Sequence, residues 1–87
     1  MNWQVYMILC SDTSIYTGIS TNVEQRFQQH AQHKGAKYFR ARHPEQLIFV
    51  ESGHTRSSAS IREAQIKKYS HQEKLNLATA LNQDNIE

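Results

Sequence analysis

The sequence predicts an α+β fold, in which a three-stranded, mainly antiparallel sheet is flanked by helices in the order β-β-α-β-α-α. Two short runs rich in β-branched and aromatic residues lie near the start of the chain, and a third apolar run lies near its middle. Helical patterns with capping residues occupy most of the rest. Because 87 residues can build one modest core, we expect a single domain over residues 1–82 and a frayed tail at 83–87.

The first two strands are expected to form a hairpin. Residues 4–10 and 15–20 have strand composition, and the Ser-Asp-Thr-Ser segment at 11–14 suits a turn. Pairing register follows the length of the turn, and a slip of one residue moves every side chain to the other face of the sheet. The sequence therefore leaves open whether Tyr6 and Tyr16 share a face.

The first helix is predicted to begin after Asn22 and to run to about Lys34. Asn22 is a favourable N-cap residue, and Gln25 occupies the third helical position of a capping-box variant. Arg26 and His30 follow one another on a polar stripe beside the apolar edge of this helix. We therefore expect both side chains at a rim where the core meets solvent.

The segment 34–44 interleaves aromatic and cationic residues and has little regular periodicity. This composition suits phosphate contact and base stacking, and we interpret the segment as a binding loop. The alternative is an ordinary surface loop in which Tyr38 and Phe39 pack under the core. The residues predicted to contact nucleic acid are Lys34, Lys37, Tyr38, Arg40 and Arg42.

The remaining elements are one strand and two helices. Residues 47–50 form a continuous apolar run after Pro44, which predicts a strand that is buried on both faces and central in the sheet. A helix is predicted from Thr55 to Tyr69. Residues 70–73, Ser-His-Gln-Glu, form a capping box that starts the last helix.

Glu63 interrupts the apolar side of the helix predicted at 55–69. On a helical projection it lies with Ala59 and Ile66, where an aliphatic residue would be expected. An ionised carboxylate removed from water is costly unless it is paired or bound to a metal, so this position favours a functional role. The alternative is a simple ion pair with Lys67, four residues further on. The residues alone do not decide between the two.

The positive charge of the chain is concentrated in its middle. All ten Lys and Arg residues lie between Arg26 and Lys74, together with four acidic residues, which gives this segment a net charge of +6. A surface of this kind favours anionic partners, with nucleic acid first among them. The alternative is a solvated surface of mixed charge.

Cysteine usage and hydropathy exclude several other classes of protein. Cys10 is the single cysteine, so neither an intramolecular disulfide nor a cysteine-cluster zinc site can form. The chain has no secretory signal and no apolar run of membrane-spanning length. We therefore expect a cytoplasmic protein without a membrane partner.

Taken together, these residues resemble the GIY-YIG nuclease family. Val-Tyr-Met-Ile at 5–8 corresponds to the first motif of the family and Tyr-Thr-Gly-Ile at 16–19 to the second, while Arg26, His30 and Glu63 complete the pattern. Gln-Val-Tyr replaces Gly-Ile-Tyr and Tyr-Thr-Gly replaces Tyr-Ile-Gly, but both tyrosines and the glycine are kept. The resemblance spans nearly the whole chain and is closest to small single-domain bacterial members.

The resemblance implies a metal-dependent DNA endonuclease that hydrolyses phosphodiester bonds, in DNA repair or on branched DNA. By this resemblance, Glu63 would hold one Mg²⁺ or Mn²⁺ ion, and Tyr16 would be the general base or its partner. Tyr6 or His30 would orient the attacking water, and Arg26 would stabilise the charge of the transition state. A phenol in such a role needs its pKa lowered by nearby positive charge.

Two other functions remain open from the sequence. The first is a nucleic-acid-binding module that keeps the scaffold but has little or no catalytic turnover. The second is a small interaction subunit that docks a protein partner through Leu77 and Leu81 on its last helix. The sequence determines neither the oligomeric state nor the preferred DNA structure.

Overall fold

The structure is a computed structural model that describes the backbone of residues 2–32 and 37–86, and their side chains except those of Arg40 and 81–86. The predicted fold class and element order are confirmed. The elements in chain order are β1 (Trp3–Cys10), β2 (Ile15–Ser20), α1 (Val23–Ala31), a short 3₁₀ helix (Lys37–Arg40), β3 (Pro44–His54), α2 (Arg56–Lys67) and α3 (His71–Ile86). Helix α3 covers part of the segment expected to fray, and the domain boundary at residue 82 stays a prediction. Within the described part of the chain, no helix has the length and apolar character needed to span a bilayer.

The three strands form one antiparallel sheet in the order β2-β1-β3, so β1 is central and β3 lies at an edge. The prediction that the apolar run 47–50 is the central strand is therefore wrong. The register shifts between the pair of Met7 with Phe49 and the pair of Ile8 with Leu47, which leaves an extra residue in β3. Residues of this run consequently contribute to both core clusters of the protein, and this explains why the run is continuously apolar at a sheet edge.

The β1–β2 hairpin answers the question of register that the sequence left open. Tyr6 pairs with Gly18, and Tyr16 pairs with Ile8, so the two tyrosines lie on one face of neighbouring strands. The turn is closed by hydrogen bonds from Cys10 N to Ser14 O and from Thr13 N to Cys10 O, both of 2.9 Å. This turn fixes the register, and the register brings the two phenols together.

Each face of the sheet carries its own apolar cluster. The buried residues of the first cluster lie under α2 and α3, and they are Val5, Met7, Ile15, Phe49, Ala59, Ile66 and Ala78. The buried residues of the second cluster lie under α1 and the 3₁₀ helix, and they are Tyr6, Ile8, Cys10, Val23 and Phe39. The tyrosine face is thus the face that α1 covers.

The predicted capping residues begin the helices where expected. Asn22 accepts a hydrogen bond from Gln25 N at 3.1 Å, and in the second capping box Ser70 N donates to Glu73 Oε1 at 2.8 Å. Helix α1 nevertheless ends at Ala31, earlier than the predicted end near Lys34, which lies outside the described residues. The residue after Ala31 already has non-helical dihedral angles, so the helix is one turn shorter than its sequence pattern indicated.

The last helix packs part of its apolar face against the first cluster. Ala78 is buried there, and Leu77 is partly buried beside it. Leu77 therefore supports the fold of the domain itself, which weakens the hypothesis that it docks a partner. The side chain of Leu81 lies outside the described part of the chain.

Candidate active site

Tyr6 is held in the central strand with its hydroxyl turned towards α1. Its side chain is only 1% exposed, and its hydroxyl shares a hydrogen bond of 3.0 Å with His30 Nε2. Gly18 stands opposite on β2, where an added Cβ would lie 2.6 Å from the Tyr6 hydroxyl oxygen and 3.0 Å from the Tyr16 ring. Only glycine leaves room for both phenols at this point.

Tyr16 lies at the middle of a group of rings. Its ring centroid is 6.2 Å from that of Tyr6, 5.3 Å from that of His30 and 4.9 Å from that of Phe39. Unlike Tyr6, Tyr16 is only half-buried. The more accessible of the two phenols is therefore the one that belongs to the edge strand.

His30 lies deeper than its sequence pattern indicated. It is 1% exposed and stacks on Phe39 with ring centroids 4.2 Å apart, so the expectation that it lies at a solvent rim is wrong. The rotation of α1 about its axis causes this, because it turns His30 into the ring group. Arg26, one turn earlier, does lie at the rim, where its guanidinium donates to Gln29 Oε1 at 3.0 Å.

Burial raises the pKa of the Tyr6 phenol well above its usual value of 10.0. The neighbouring Tyr16 phenol and the Glu63 carboxylate raise this pKa further, whereas the charge and hydrogen bonding of Arg26 lower it. Tyr6 therefore stays protonated over the whole physiological range. It can donate or accept a hydrogen bond there, but it cannot act as a base.

Burial also raises the pKa of Tyr16, and the positive charge of Lys67 is the strongest influence against it. Glu63 raises this pKa as well, and Arg26 lowers it. Tyr16 is thus the phenol that lies among two cations and one carboxylate. Further positive charge beside it would lower its pKa towards the range in which a phenolate can accept a proton.

Glu63 belongs to a helix that covers the other face of the sheet, and its charge influences both tyrosines. This helix is α2, whose residues Ala59 and Ile66 are buried in the first cluster, and α2 packs against β2. Because β2 is an edge strand, a side chain on α2 can approach Tyr16 around that edge. The structure thus brings together all five residues predicted to be catalytic, which are Tyr6, Tyr16, Arg26, His30 and Glu63.

The Glu63 carboxylate is 22% exposed, and its Oε2 lies 3.1 Å from Lys67 Nζ. The ion pair that the sequence left as an alternative therefore exists. Both of its members influence the pKa of Tyr16: Lys67 lowers it and Glu63 raises it. Within residues 2–32 and 37–86, no three His, Cys, Asp or Glu side chains are grouped as metal ligands. Mg²⁺ is often held by one carboxylate with water and substrate phosphate, so a partly exposed carboxylate beside two phenols fits such an ion.

The structure describes only part of the predicted binding loop, and some of its side chains pack into the core. Lys34 lies outside the described residues, and so does the side chain of Arg40. Lys37 is exposed, whereas Phe39 is fully buried, as the surface-loop alternative expected for this residue. The ring of Tyr38 packs against that of Tyr16 with centroids 5.2 Å apart.

Arg42 makes a link that its sequence context did not reveal. Its Nε donates to Asp12 Oδ2 at 2.6 Å, and its guanidinium lies 4.3 Å from the centre of the Tyr38 ring. The carbonyl of Tyr38 accepts a further hydrogen bond of 3.4 Å from the same guanidinium. Arg42 therefore holds Tyr38 in place, and its predicted contact with nucleic acid stays a prediction.

Local sequence patterns gave little indication of the contacts that two residues of this region make, Lys67 and Asp12. The sequence indicates Lys67 only as a partner of Glu63, although its charge also lowers the pKa of Tyr16. Asp12 was considered only as a turn residue, and no local pattern connects it with Arg42, thirty residues away. The four-residue spacing of Glu63 and Lys67 was the one available signal.

The candidate site is separate from a cavity on the α1 side of the protein. This cavity, of about 450 Å³, lies between the outer side of α1 and Leu47, and includes none of the five predicted catalytic residues.

The fold and this site define a class of protein: an α+β protein with two phenols, a guanidinium and a carboxylate in one neighbourhood of a three-stranded antiparallel sheet. A model of the GIY-YIG catalytic domain matches residues 2–76. The chain belongs to the GIY-YIG family, whose domains are typically endonucleases. This confirms the family resemblance found in the sequence.

Similar proteins include members of the UPF0213 group. One from Haloquadratum walsbyi is 49% identical over 74 residues, which cover 85% of this chain and 83% of that protein. Another, from Staphylococcus haemolyticus, is 45% identical over 73 residues, covering 84% of this chain and 89% of that protein. The chain thus matches these relatives over most of their length.

Two solution NMR structures have the same fold. A UPF0213 protein from Bacillus halodurans is 38% identical with a TM-score of 0.58, covering 92% of this chain and 85% of that one. A protein from E. faecalis is 34% identical with a TM-score of 0.62, covering 100% of this chain and 90% of that one. These similarities support the α+β architecture described above.

Proposed function

We propose that this protein is a metal-dependent DNA endonuclease that hydrolyses phosphodiester bonds. The observation that carries the proposal is the common electrostatic neighbourhood of Tyr16, Arg26 and Glu63, three residues from three different elements of a GIY-YIG domain. A base, a cation and a metal-binding carboxylate are the groups that phosphodiester hydrolysis requires. We also propose that the protein is cytoplasmic and that it acts in DNA repair or on branched DNA.

In this proposal the two phenols have different tasks. Tyr16 is half-buried and flanked by cations, so it accepts a proton from the attacking water or passes it on. Tyr6 is buried and bound to His30, so it stays neutral and holds its neighbours in position. The hydrogen bond between Tyr6 and His30 fixes the orientation of these two side chains, and this keeps the site preorganised.

Arg26 and Glu63 supply the charges. The Arg26 guanidinium stabilises the additional negative charge that develops on the phosphate oxygens in the transition state. Glu63 would hold Mg²⁺ or Mn²⁺, and such an ion, when bound, polarises the phosphate and adds positive charge near Tyr16. Lys37 and Tyr38, with Lys34 and Arg40, would contact the nucleic acid outside the reacting centre.

The test is a cleavage panel of single-stranded, duplex and branched DNA with Mg²⁺ and with Mn²⁺. We expect Tyr16→Phe and Glu63→Gln to lose at least about a hundredfold in cleavage rate, the scale of general acid–base catalysis. Tyr69→Phe and Glu45→Gln are matched controls with the same chemistry, because Tyr69 packs against the first cluster and Glu45 is an exposed residue of β3. Cleavage at the wild-type rate by both site variants would refute the proposed roles.

A nucleic-acid-binding module with little turnover is the second candidate. The specific observation in its favour is that burial raises the pKa of both phenols, so neither is ionised near neutral pH in the absence of added positive charge. Under this alternative, the wild type binds DNA with a salt-dependent affinity and cuts none of the panel. Metal-dependent cleavage that Tyr16→Phe abolishes excludes it.

A further inference from the structure

The Glu63 carboxylate is already engaged by a cation of its own helix. Lys67 lies one turn further along α2, and its Nζ is 3.1 Å from Glu63 Oε2. The side chain of Glu63 is 22% exposed and that of Lys67 is 54% exposed, so the carboxylate is partly shielded while the ammonium retains access to water. A long, flexible lysine side chain in this position can leave the carboxylate without disturbing the helix.

The surroundings distinguish this pair from an ordinary surface ion pair. Lys67 is the cation with the greatest electrostatic effect on Tyr16, ahead of Arg26. The ammonium is therefore bound to the carboxylate that would hold a metal, and it is close enough to influence the phenol that would accept a proton. A divalent ion on Glu63 would have to enter the same electrostatic neighbourhood, and two cations cannot share one carboxylate there without repulsion.

We propose that Lys67 holds the Glu63 carboxylate in place of the divalent ion, and that the ion binds by displacing this ammonium. The inference rests on the proposed function, because it takes Glu63 as the metal ligand. Lys67 is then a positioning residue: it keeps the carboxylate aimed at the site, neutralises it until the ion arrives, and sets the ion concentration that is required. No chemical bond is made or broken in this exchange.

The size of the effect follows from the strength of an exposed ion pair. Breaking such a pair costs roughly 0.2–1 kcal/mol, and removing the repulsion between ammonium and ion adds to the gain in affinity. Because 1 kcal/mol is a factor of about five in an equilibrium constant, replacing Lys67 with methionine should lower the Kd for Mg²⁺ roughly threefold to fivefold. Methionine keeps the length and helix propensity of the side chain, so the helix itself is unaffected.

The experiment measures ion binding directly, without DNA and without turnover. Mg²⁺ is titrated at low ionic strength into the whole protein, and the Kd is taken from the amide chemical shifts around Glu63. The broadening of the same signals by Mn²⁺ locates the ion. The matched control is Lys68→Met, because Lys68 is exposed, carries the same charge and takes part in none of the ion pairs of the described residues.

We expect a lower Kd for Mg²⁺ in Lys67→Met than in the wild type. In Lys68→Met the Kd should change by less than about twofold, because this substitution alters only the net charge. Equal Kd values for the two variants, with binding that Glu63→Gln abolishes, would overturn the role of Lys67 and leave the metal site standing. Binding that persists in Glu63→Gln, or none in the wild type, would overturn both the inference and the metal ligand of the proposed function. Circular dichroism of each variant confirms that the helix content is unchanged.

Discussion

Replacing Gly18 with alanine should disturb the site and the fold together. The new Cβ would lie 2.6 Å from the Tyr6 hydroxyl oxygen, 2.8 Å from its ring carbon and 3.0 Å from the Tyr16 ring. Tyr6 is buried in the central strand, so it cannot move away without repacking the residues around it. Overpacking of this kind costs roughly 1–3 kcal/mol, and we expect a loss of that size in the free energy of unfolding.

The same substitution should reduce cleavage by more than the loss of stability explains. A shift of the Tyr6 hydroxyl would lengthen its 3.0 Å hydrogen bond to His30 and change the position of Tyr16. Misplacement of a catalytic group by about 1 Å can cost roughly a hundredfold in rate. We therefore expect a strong loss of activity at temperatures where Gly18→Ala is still fully folded.

Gly53→Ala is the matched control for this experiment. Gly53 has a φ of +84°, and nothing lies within 4 Å of the position of an added Cβ. Its substitution should lower stability by about 1 kcal/mol through backbone strain alone and leave cleavage unchanged. Urea unfolding followed by circular dichroism gives the free energies of unfolding, and a DNA cleavage assay gives the rates. A Gly18→Ala protein as stable and as active as the wild type would refute the steric argument.

Three further predictions concern the pH dependence of stability and the binding of DNA. The pKa of Tyr6 lies above its usual 10.0 in the folded protein, so its stabilising contribution is complete below pH 10 and is lost as the pH rises beyond it. Tyr6→Phe should therefore be less sensitive to alkali in urea unfolding, and an equal sensitivity would contradict this. Hydrogen bonding from Ser14 and Arg42 lowers the pKa of Asp12 from 3.8 to about 2, so its contribution is present above pH 3.8 and disappears as the pH falls towards 2. Asp12→Asn should show a flatter stability profile in that range, whereas a profile parallel to the wild type would argue against the Arg42 link. Finally, Lys37→Ala should weaken DNA binding and reduce its salt dependence by about one ion, while an unchanged salt slope would remove Lys37 from the binding surface.

Local sequence patterns predicted most of the elements, because hairpins and helix caps depend on neighbouring residues. Asn22 and the capping box at 70–73 begin their helices as expected. The place of β3 in the sheet was not predictable in this way, because a continuous apolar run indicates cover on both faces and carries no information about neighbours at its edges. The extra residue in β3 depends on pairing with β1, which local sequence does not encode.

The candidate site was predictable in its residues but not in its arrangement. The spacing of Tyr6, Tyr16, Arg26 and Glu63 carried the family resemblance, and the structure brings their side chains into one neighbourhood. The burial of His30 depends on how α1 is rotated over the sheet, which is decided by tertiary packing. The proximity of Glu63 to the tyrosines likewise depends on how α2 packs against β2.

The turn between β1 and β2 lies on the surface, yet its length is constrained from two directions. On one side it sets the register that places Tyr16 beside Tyr6, and on the other its Asp12 holds Arg42. Ser11 N also donates to His43 O at 2.9 Å, which ties the turn to the same distant segment. Surface turns usually accept an inserted residue at little cost. Here a single inserted residue would misalign the two phenols and also break the hydrogen bonds to Arg42 and His43. Natural variation in length should therefore be found elsewhere in such domains.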